Sequence, residues 1–358
     1  MKYTLAGTKD QGFEKRFLAL PKQLYGKYDL TQNDDTERQI LRGTHPLSGD
    51  FEVVPFLLTD EKNRPAARCI LTYYPEKDEA YLGFFECISD FSACEMLLNA
   101  ACERAKRDGK AVITGPVDAS FWIKYRFKTD FFDKPPYALE PYNKDYYPEF
   151  WERCGFSVCQ GYFSNQMRMP TADDHDAKCQ KRFEAMSKRG YTIENPNSEN
   201  FDEKLREVFE LLSKLYSSFP CYSEISWEKF FGMYSSIKSV LNFDMAKLVY
   251  KEGRLVGFSI SVPNFGNAAC GKLTIPKLAR ILKAKNKPTE FILIYMGVDR
   301  GHLGLGSMIA EAVKQSLEEK HCSAINALIL DGKVTGESYY NSSLTTDKYH
   351  YALYQKTL

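Results

Sequence analysis

One stretch, FILIYMGVDRGHLGLGSMIAEAVKQSL from Phe291 to Leu317, constrains the fold of this chain more than any other. An apolar run typical of a buried strand passes into a turn with Gly301, Gly304 and Gly306, and a helical pattern of apolar residues follows. A helix that begins this way presents free N–H groups and the positive end of its dipole. Because glycines also let an anion approach the backbone closely, the stretch predicts an anion-binding turn between a strand and a helix.

The spacing of the three glycines distinguishes between phosphate-binding motifs. A dinucleotide-binding turn has the pattern GxGxxG, and a P-loop has the pattern GxxxxGK[ST]. The order here, Gly301-x-x-Gly304-x-Gly306, is the reverse of the first pattern and lacks the lysine of the second. The sequence therefore predicts neither a nicotinamide cofactor nor ATP. The alternative to a phosphate site is that these glycines only permit tight packing of the strand against the helix.

The first half of the chain predicts helices around an antiparallel meander. Its first helix, in FEKRFLALPKQLYGKY, is predicted to end at Pro21, since proline disrupts a helix interior. Three strand-like runs follow between Phe51 and Cys87, separated by turns. A helix then begins with Asp90 as its N-cap and ends at Gly109. A buried strand, a short helix and a further strand complete this half.

The second half repeats this order of elements without repeating the residues. An amphipathic helix lies in NFDEKLREVFELLSKLYSSF, and a hairpin turns at Glu252-Gly253. The strand, glycine turn and helix follow, then a strand in SAINALIL and an alternating strand in YHYALYQKTL. A repeated order of helix, antiparallel strands, long helix and strand predicts two domains of one architecture.

Composition excludes several function classes. The 358 residues include 48 basic and 47 acidic residues, and this balance gives no electrostatic reason to expect a nucleic acid or an anionic membrane surface. No apolar run approaches the ~18 residues of a membrane span. The ten cysteines form no CxxC pair and the histidines form no HExxH motif, so the sequence predicts buried free thiols and no metal site. We expect a cytoplasmic protein.

The segment MGVDRGHLGLGSMIAEAV resembles the coenzyme A-binding motif of the GNAT acyltransferase superfamily, in which a strand runs into [Q/R]-x-x-G-x-[G/A] at a helix N-terminus. Gly304 and Gly306 match the glycines of that motif, whereas Gly301 stands where the family has Gln or Arg. The resemblance extends in the right order from about Phe51 to Leu358. It implies an α/β (α+β) fold of two tandem GNAT-like domains, each a mixed, mostly antiparallel sheet flanked by helices.

The resemblance places a degenerate domain at residues 1–172 and an acyl-CoA-binding domain at residues 173–358. The first half has no GxxGxG after its strand YLGFFECISDFS, so we expect it to build the acceptor side of the cleft rather than hold a pyrophosphate. The resemblance implies acetyl-CoA or another acyl-CoA as co-substrate, bound by residues of the strand end and turn: Met296, Gly297, Val298, Gly301, His302, Leu303, Gly304, Leu305, Gly306 and Ser307.

The implied reaction is transfer of the acyl group to an amine, on a small molecule or a peptide, by direct attack in a ternary complex. Such a transfer needs a polarised carbonyl, a neutral amine and a proton for the leaving thiolate. Glu290 is a candidate base, and Tyr339 and Tyr340 are candidate acids because the family places a tyrosine after the equivalent of SAINALIL. Asp299 is a further carboxylate near the turn.

Two other functions remain open at this point. One is a catalytically silent GNAT-like protein that binds acyl-CoA or acts as a scaffold. The other is a transferase resembling the Fem-like enzymes or the N-acyl amino acid synthases, which would take its acyl group from a tRNA or a carrier protein. The near-neutral charge disfavours tRNA, and the glycine turn favours a pyrophosphate donor. Acyl chain length, acceptor identity and oligomeric state are not predicted.

Overall fold

The computed structural model describes residues 2–175, 177–302, 304–332 and 342–358. Its strands are β1 (Tyr3–Leu5), β2 (Glu52–Asp60), β3 (Pro65–Tyr73), β4 (Glu79–Cys87), β5 (Val112–Gly115), β6 (Phe127–Lys128), β7 (Ser157–Met167), β8 (Tyr191–Glu194), β9 (Lys247–Lys251), β10 (Arg254–Pro263), β11 (Glu290–Val298), β12 (Ser323–Leu330) and β13 (Thr345–Thr357). Its α-helices are α1 (Phe13–Leu24), α2 (Asp34–Arg42), α3 (Phe91–Arg107), α4 (Tyr147–Arg153), α5 (Ala177–Lys188), α6 (Phe201–Tyr216), α7 (Trp227–Tyr234), α8 (Ile275–Asn286) and α9 (Leu305–Glu319).

These strands form one continuous sheet in the order β1-β2-β3-β4-β5-β13-β7-β12-β11-β10-β9-β8, with β6 paired to β13. The order is symmetric about the junction of β13 and β7. Of the strand pairs in the described residues, β4 with β5 and β11 with β12 are parallel, and the others are antiparallel. Helices α1, α2, α6 and α7 cover one face, and α3, α4, α5 and α9 cover the other. The predicted fold class, mixed and mostly antiparallel with flanking helices, is confirmed.

The two halves exchange a strand. The last strand, β13, lies between β5 and β7, and it pairs with β7 from Thr345↔Met167 to Gln355↔Ser157. In return β7, which belongs to the first half of the sequence, pairs with β12 of the second half. The boundary at residue 172 stays a prediction, but each half of the sheet is completed by a strand from the other half.

Local signals place most elements as the sequence predicts. Strands β4 and β12 have the predicted bounds, and Asp90 is the N-cap of α3. Glu252 and Gly253 turn between β9 and β10 with φ of 53° and 75°, as a tight hairpin requires.

The prediction that the first helix ends at Pro21 is wrong, because α1 continues to Leu24. A proline inside a helix cannot donate a hydrogen bond to the carbonyl four residues earlier, here that of Phe17. In this fold Arg68 Nη1 donates to Phe17 O at 3.0 Å. A side chain from β3 thus satisfies the acceptor that Pro21 leaves free, and the helix persists.

Aromatic packing joins the halves on the face that carries α6 and α7. Phe121 and Trp122, from the loop after β5, contact the ring of Tyr222 with centroid distances of 5.6 Å each. Trp122 Nε1 also donates to Ser223 O at 2.8 Å, and Tyr234 donates its hydroxyl to Trp122 O at 2.6 Å. One apolar core therefore spans both halves on this face.

Candidate functional site

The site is built where β11 separates from β12. The two parallel strands pair from Glu290↔Ser323 to Leu293↔Asn326, and the pairing then stops. Residues 295–298 stay paired with β10 on their other side. Beyond Leu293 the two strands therefore enclose a wedge-shaped gap, and the backbone groups of β11 face that gap without a partner on β12.

A β-bulge lies at the apex of this wedge. Tyr295 pairs with Ile260 and Leu293 pairs with Ser261, so Ile294 is an extra residue on β11. A bulge breaks the ladder locally and re-aims side chains, and bulges are common beside active sites. The sequence carries no signal for it, because the apolar run around Ile294 looks the same with or without an extra residue.

The glycine turn follows the end of β11 and is open to its surroundings. Gly304 is the N-cap of α9 in the left-handed region, with φ of 86° and no side-chain capping bond. A Cβ placed on Gly301 or Gly304 would meet no atom of the described residues within 4 Å. Tight packing therefore does not require these two glycines. Gly304 provides a backbone conformation that L-residues adopt at a cost, and it leaves the helix N-terminus uncovered.

Gly297 differs from the turn glycines. A Cβ on Gly297 would lie 2.7 Å from Leu215 Cδ1 and 2.8 Å from Phe258 Cε1. Gly297 therefore serves the close packing of α6 on the sheet. Its predicted neighbours Met296 and Val298 pack against the core under α9.

The first turn of α9 directs N–H groups outward from a fixed frame. His302 N donates to Asp299 O at 3.0 Å, and Leu305 N donates to His302 O at 3.3 Å, so the turn closes on itself. Leu305 is buried, which fixes the start of the helix. The N–H groups of Gly306 and Ser307 follow, and such first-turn donors have no acceptor within the helix. Leu303 lies outside the described residues.

The charges beside the turn are arranged to tolerate an anion. The carboxylate of Asp299 accepts from Lys214 Nζ at 3.0 and 3.1 Å and from Arg254 Nη2 at 2.8 Å. The hydrogen bond from Lys214 is the main cause that lowers the pKa of Asp299. Lys214 and Arg254 remain 58% and 69% exposed, whereas the Asp299 side chain is 9% exposed. Asp299 is therefore neutralised, and two cations face solvent.

The predicted catalytic residues are placed differently from one another. Glu290 begins β11, about 26 Å from the strand end at ~3.3 Å per residue. Its carboxylate accepts from Gln166 Nε2 at 2.6 Å, from Ser323 Oγ at 3.2 Å and from Asn264 Nδ2. These bonds tie three neighbouring segments together, and they do not bring Glu290 to the wedge.

The other two predicted catalytic residues, Tyr339 and Tyr340, lie outside the described residues. In the part of the chain that is described, no group of His, Cys, Asp and Glu side chains is placed to bind a metal. No helix there combines the length and the apolar character that crossing a membrane requires.

The first half contains a counterpart of this site that is closed. Strands β4 and β5 pair only from Glu79↔Val112 to Tyr81↔Thr114, so they also separate. Val117 and Asp118 fill the space between them, and a Cβ on Gly83 would lie 1.9 Å from Val117 O. Asp118 also accepts a hydrogen bond from the backbone of β4.

The helix that follows β4 is closed as well. The Asp90 carboxylate accepts from Ser92 N at 2.9 Å and from Ser92 Oγ at 2.6 Å, and these bonds lower its pKa. A carboxylate of the chain itself therefore occupies the α3 N-terminus where the second half has a bare glycine.

Comparisons with known proteins show similarity in fold and little similarity in sequence. No protein-family model matches the chain. Protein YghO of Escherichia coli is 22% identical over 192 residues, which are 54% of this chain and 49% of that protein. The chain thus aligns with about half the length of this curated relative.

Solved structures match along almost the whole chain. A tandem GNAT protein from the clavulanic acid biosynthesis pathway superposes with a TM-score of 0.51 and 11% identity, covering 99% of this chain and 98% of that one. The glucosamine N-acetyltransferase region of a fungal multi-domain β-N-acetylglucosaminidase superposes with a TM-score of 0.54 and 10% identity. The match covers 99% of this chain and 38% of that one. An N-acetyltransferase from Kribbella flavida superposes with a TM-score of 0.51 and 8% identity, covering 100% of this chain and 71% of that one. At these identities the likeness establishes the fold.

Proposed function

This chain has the fold of the tandem GNAT proteins, and from that premise we propose that it is an N-acyltransferase that uses an acyl-coenzyme A donor. The observation that carries the proposal is the open N-terminus of α9, capped by Gly304, beside the wedge between β11 and β12. Its counterpart in the first half is closed by Asp90 and Val117. The donor site is therefore assigned to the second half.

The turn would hold the pyrophosphate of coenzyme A. The first-turn N–H groups of Gly306 and Ser307, which have no acceptor within the helix, would donate to an anion at the positive end of the α9 dipole. Lys214 and Arg254 add two exposed cations on the flank. The pantetheine arm would enter the wedge and pair with the free backbone edge of residues 294–298. An extended arm with amide groups suits a strand edge, since both present alternating donors and acceptors.

The reaction that this placement supports is direct transfer. The lone pair of a neutral amine attacks the thioester carbonyl carbon, the C–S bond breaks, and the thiolate takes up a proton. Backbone N–H groups at the Ile294 bulge would polarise the carbonyl oxygen as it gains charge. Tyr339 and Tyr340 remain the proposed source of the proton. The base is left unassigned, because Glu290 is held at the other end of β11.

The acceptor is proposed to be an amine on a small molecule or peptide that approaches from the first half. Asp118 and Val117 close the gap in that half, so under this proposal it offers a fixed surface to the acceptor and not a second donor site. A nucleic acid is not proposed as a partner, since the chain carries a net charge of only +1.

The test is an assay of coenzyme A release. The protein is incubated with acetyl-CoA or a longer acyl-CoA and with a panel of small amines and of peptides that have a free amino terminus. The free thiol and the acylated product are both quantified. Release that depends on one acceptor class supports the transferase. Binding of coenzyme A without release across the panel would favour the silent binding protein. Transfer only from aminoacyl-tRNA would favour the Fem-like alternative.

A further inference from the structure

An apolar cavity lies next to the wedge. Its volume is about 60 Å³, and it lies between helices α6 and α7 and strands β9, β10 and β11. The residues that decide its character are apolar or aromatic: Val208, Leu212, Phe230, Ile260, Ile294 and Tyr295. A cavity needs about 10–15 Å³ for each water-sized group, so this one has room for roughly four to six.

The position of the cavity connects it to the donor site. Ile294 is the bulge residue and directly follows the last pair between β11 and β12, and Tyr295 is the next residue along β11. Both side chains belong to the apolar core on the α6 face. Two residues at the apex of the wedge, where a thioester carbonyl would be held, therefore also form part of the cavity wall.

Polar ends of the lining side chains turn away from the cavity. Lys204 contributes its hydrocarbon stem, and its ammonium group donates to Glu207 at 3.1 Å. The Tyr234 hydroxyl donates to Trp122 O at 2.6 Å. A space without polar partners holds water poorly and suits hydrocarbon. The cavity therefore matches an acyl chain better than a polar acceptor.

We propose that this cavity receives the acyl chain of the donor, so that the preferred donor is an acyl-CoA of about four to six carbons rather than acetyl-CoA. The inference rests on the proposed function and specifies its substrate. An acetyl group would leave the cavity empty, whereas each methylene that enters is worth roughly a three- to fourfold gain in affinity. The chemistry is unchanged: the amide bond forms, the C–S bond breaks, and the amine proton ends on the coenzyme A thiolate.

The experiment measures the dissociation constants of coenzyme A and of acyl-CoA with two to ten carbons by titration calorimetry. For the wild-type protein, affinity is expected to rise about three- to fourfold per methylene up to about six carbons and then to level off or fall. Leu212→Phe fills the cavity and is expected to remove this gain while the affinity for coenzyme A stays within about twofold.

Leu211→Phe is the matched control, since Leu211 lies on the same helix in the same core but does not line the cavity. It is expected to keep the chain-length series of the wild type. If wild type binds coenzyme A but shows the same affinity at every chain length, the cavity proposal is wrong and the donor proposal stands. If wild type does not bind coenzyme A at all, the proposed function fails as well. The wild-type series alone decides between these outcomes, even where a variant does not fold.

Discussion

The N-termini of α3 and α9 lie at equivalent places in the two halves of the molecule, and they are capped differently. Helix α3 begins with Asp90, whose carboxylate binds the first-turn backbone and the Ser92 hydroxyl. Helix α9 begins with Gly304, which offers no side chain and lies in open space. The two helix starts thus differ by one residue type: Asp90 caps α3 with its own carboxylate, whereas Gly304 leaves the start of α9 without a side-chain cap, as the proposed phosphate site requires.

The strand pairs that precede these helices differ in the same sense. The gap between β4 and β5 is filled by Val117 and Asp118, whereas residues 294–298 of β11 keep a free edge toward β12. A repeated architecture can thus keep the frame of a site in both halves while leaving only one copy open. Under the proposed function, the first half supports the site and does not bind the donor.

The largest expected effect concerns the rigidity of the first half. Arg68 and Glu37 form a buried ion pair at 2.6 Å, with side chains 2% and 8% exposed. Removing one partner leaves a buried charge, so Arg68→Met should lower the free energy of unfolding by about 3–5 kcal/mol. The variant also removes the donor to Phe17 O. Urea unfolding measures the loss.

The double variant Arg68→Met/Glu37→Leu is the control for that experiment, because replacing both charges avoids the unpaired carboxylate. It should recover much of the stability. Folded protein of either variant should bind coenzyme A as wild type does. A large loss of coenzyme A affinity in the folded double variant would contradict the claim that the first half only supports the donor site.

A second prediction concerns the α3 cap. Asp90→Ala removes the N-cap side chain and should cost about 1 kcal/mol of stability at neutral pH. Because the folded pKa of Asp90 is lowered, its contribution is present above the unfolded pKa and is lost as pH falls through the folded value. Denaturation at pH 7 and at acidic pH should show a difference in the free energy of unfolding between wild type and variant, and this difference should be smaller in acid. A stability difference that does not depend on pH would show that the ionised carboxylate of Asp90 is not the source of its contribution.

A third, smaller effect concerns the cations beside the open turn. Lys214→Met removes an exposed ammonium group and leaves Asp299 with Arg254 alone. Exposed pairs are worth about 0.2–1 kcal/mol, so coenzyme A affinity should fall by up to about fivefold, and less at high salt. Lys106→Met is the matched control, since Lys106 is an exposed lysine in the last turn of α3. If both variants lower the coenzyme A affinity equally, Lys214 has no specific role in binding coenzyme A.

The smallest expected effect concerns how α9 is held in place. His175, from the segment before α5, bonds Glu318 at 2.7 Å and also bonds Glu311, and both glutamates lie on α9. Burial alone would lower the pKa of His175, but the two carboxylates outweigh it and the pKa is raised. The contribution of His175 is therefore full below its unfolded pKa and declines as pH rises through the folded value.

Unfolding of wild type and His175→Gln between about pH 5.5 and 9 checks this sign, because that range brackets the unfolded pKa of histidine near ~6.5. The stability difference between them should be largest at the acid end and should decrease as pH rises. A difference that grows with pH would contradict the described contacts.

The sequence predicts the elements well where short-range signals suffice. The bounds of β4 and β12, the Asp90 cap and the Glu252-Gly253 hairpin depend on apolar runs and on turn residues that lie next to them in the chain. The position of Gly304 at the start of a helix is predictable for the same reason, since it depends on the residues next to it in the chain.

The features that escape prediction depend on distant partners. Helix α1 continues through Pro21 because Arg68, 51 residues after Phe17, supplies the missing donor. The exchange of β7 and β13 and the bulge at Ile294 arise from how strands pair across the sheet. The apolar cavity depends on helices and strands that meet only in the folded chain. None of these has a local signature.

The most direct measurement is titration calorimetry of coenzyme A against wild type, Gly304→Glu and Gly109→Glu. Gly304 and Gly109 both have positive φ, at 86° and 80°, and both face open space, so the two substitutions impose similar backbone strain. Only the first places a carboxylate at the α9 N-terminus. We expect wild type and Gly109→Glu to bind alike and Gly304→Glu to lose at least about tenfold in affinity. Equal binding by all three folded proteins, or no binding by wild type, would contradict the assignment of the donor site to the second half.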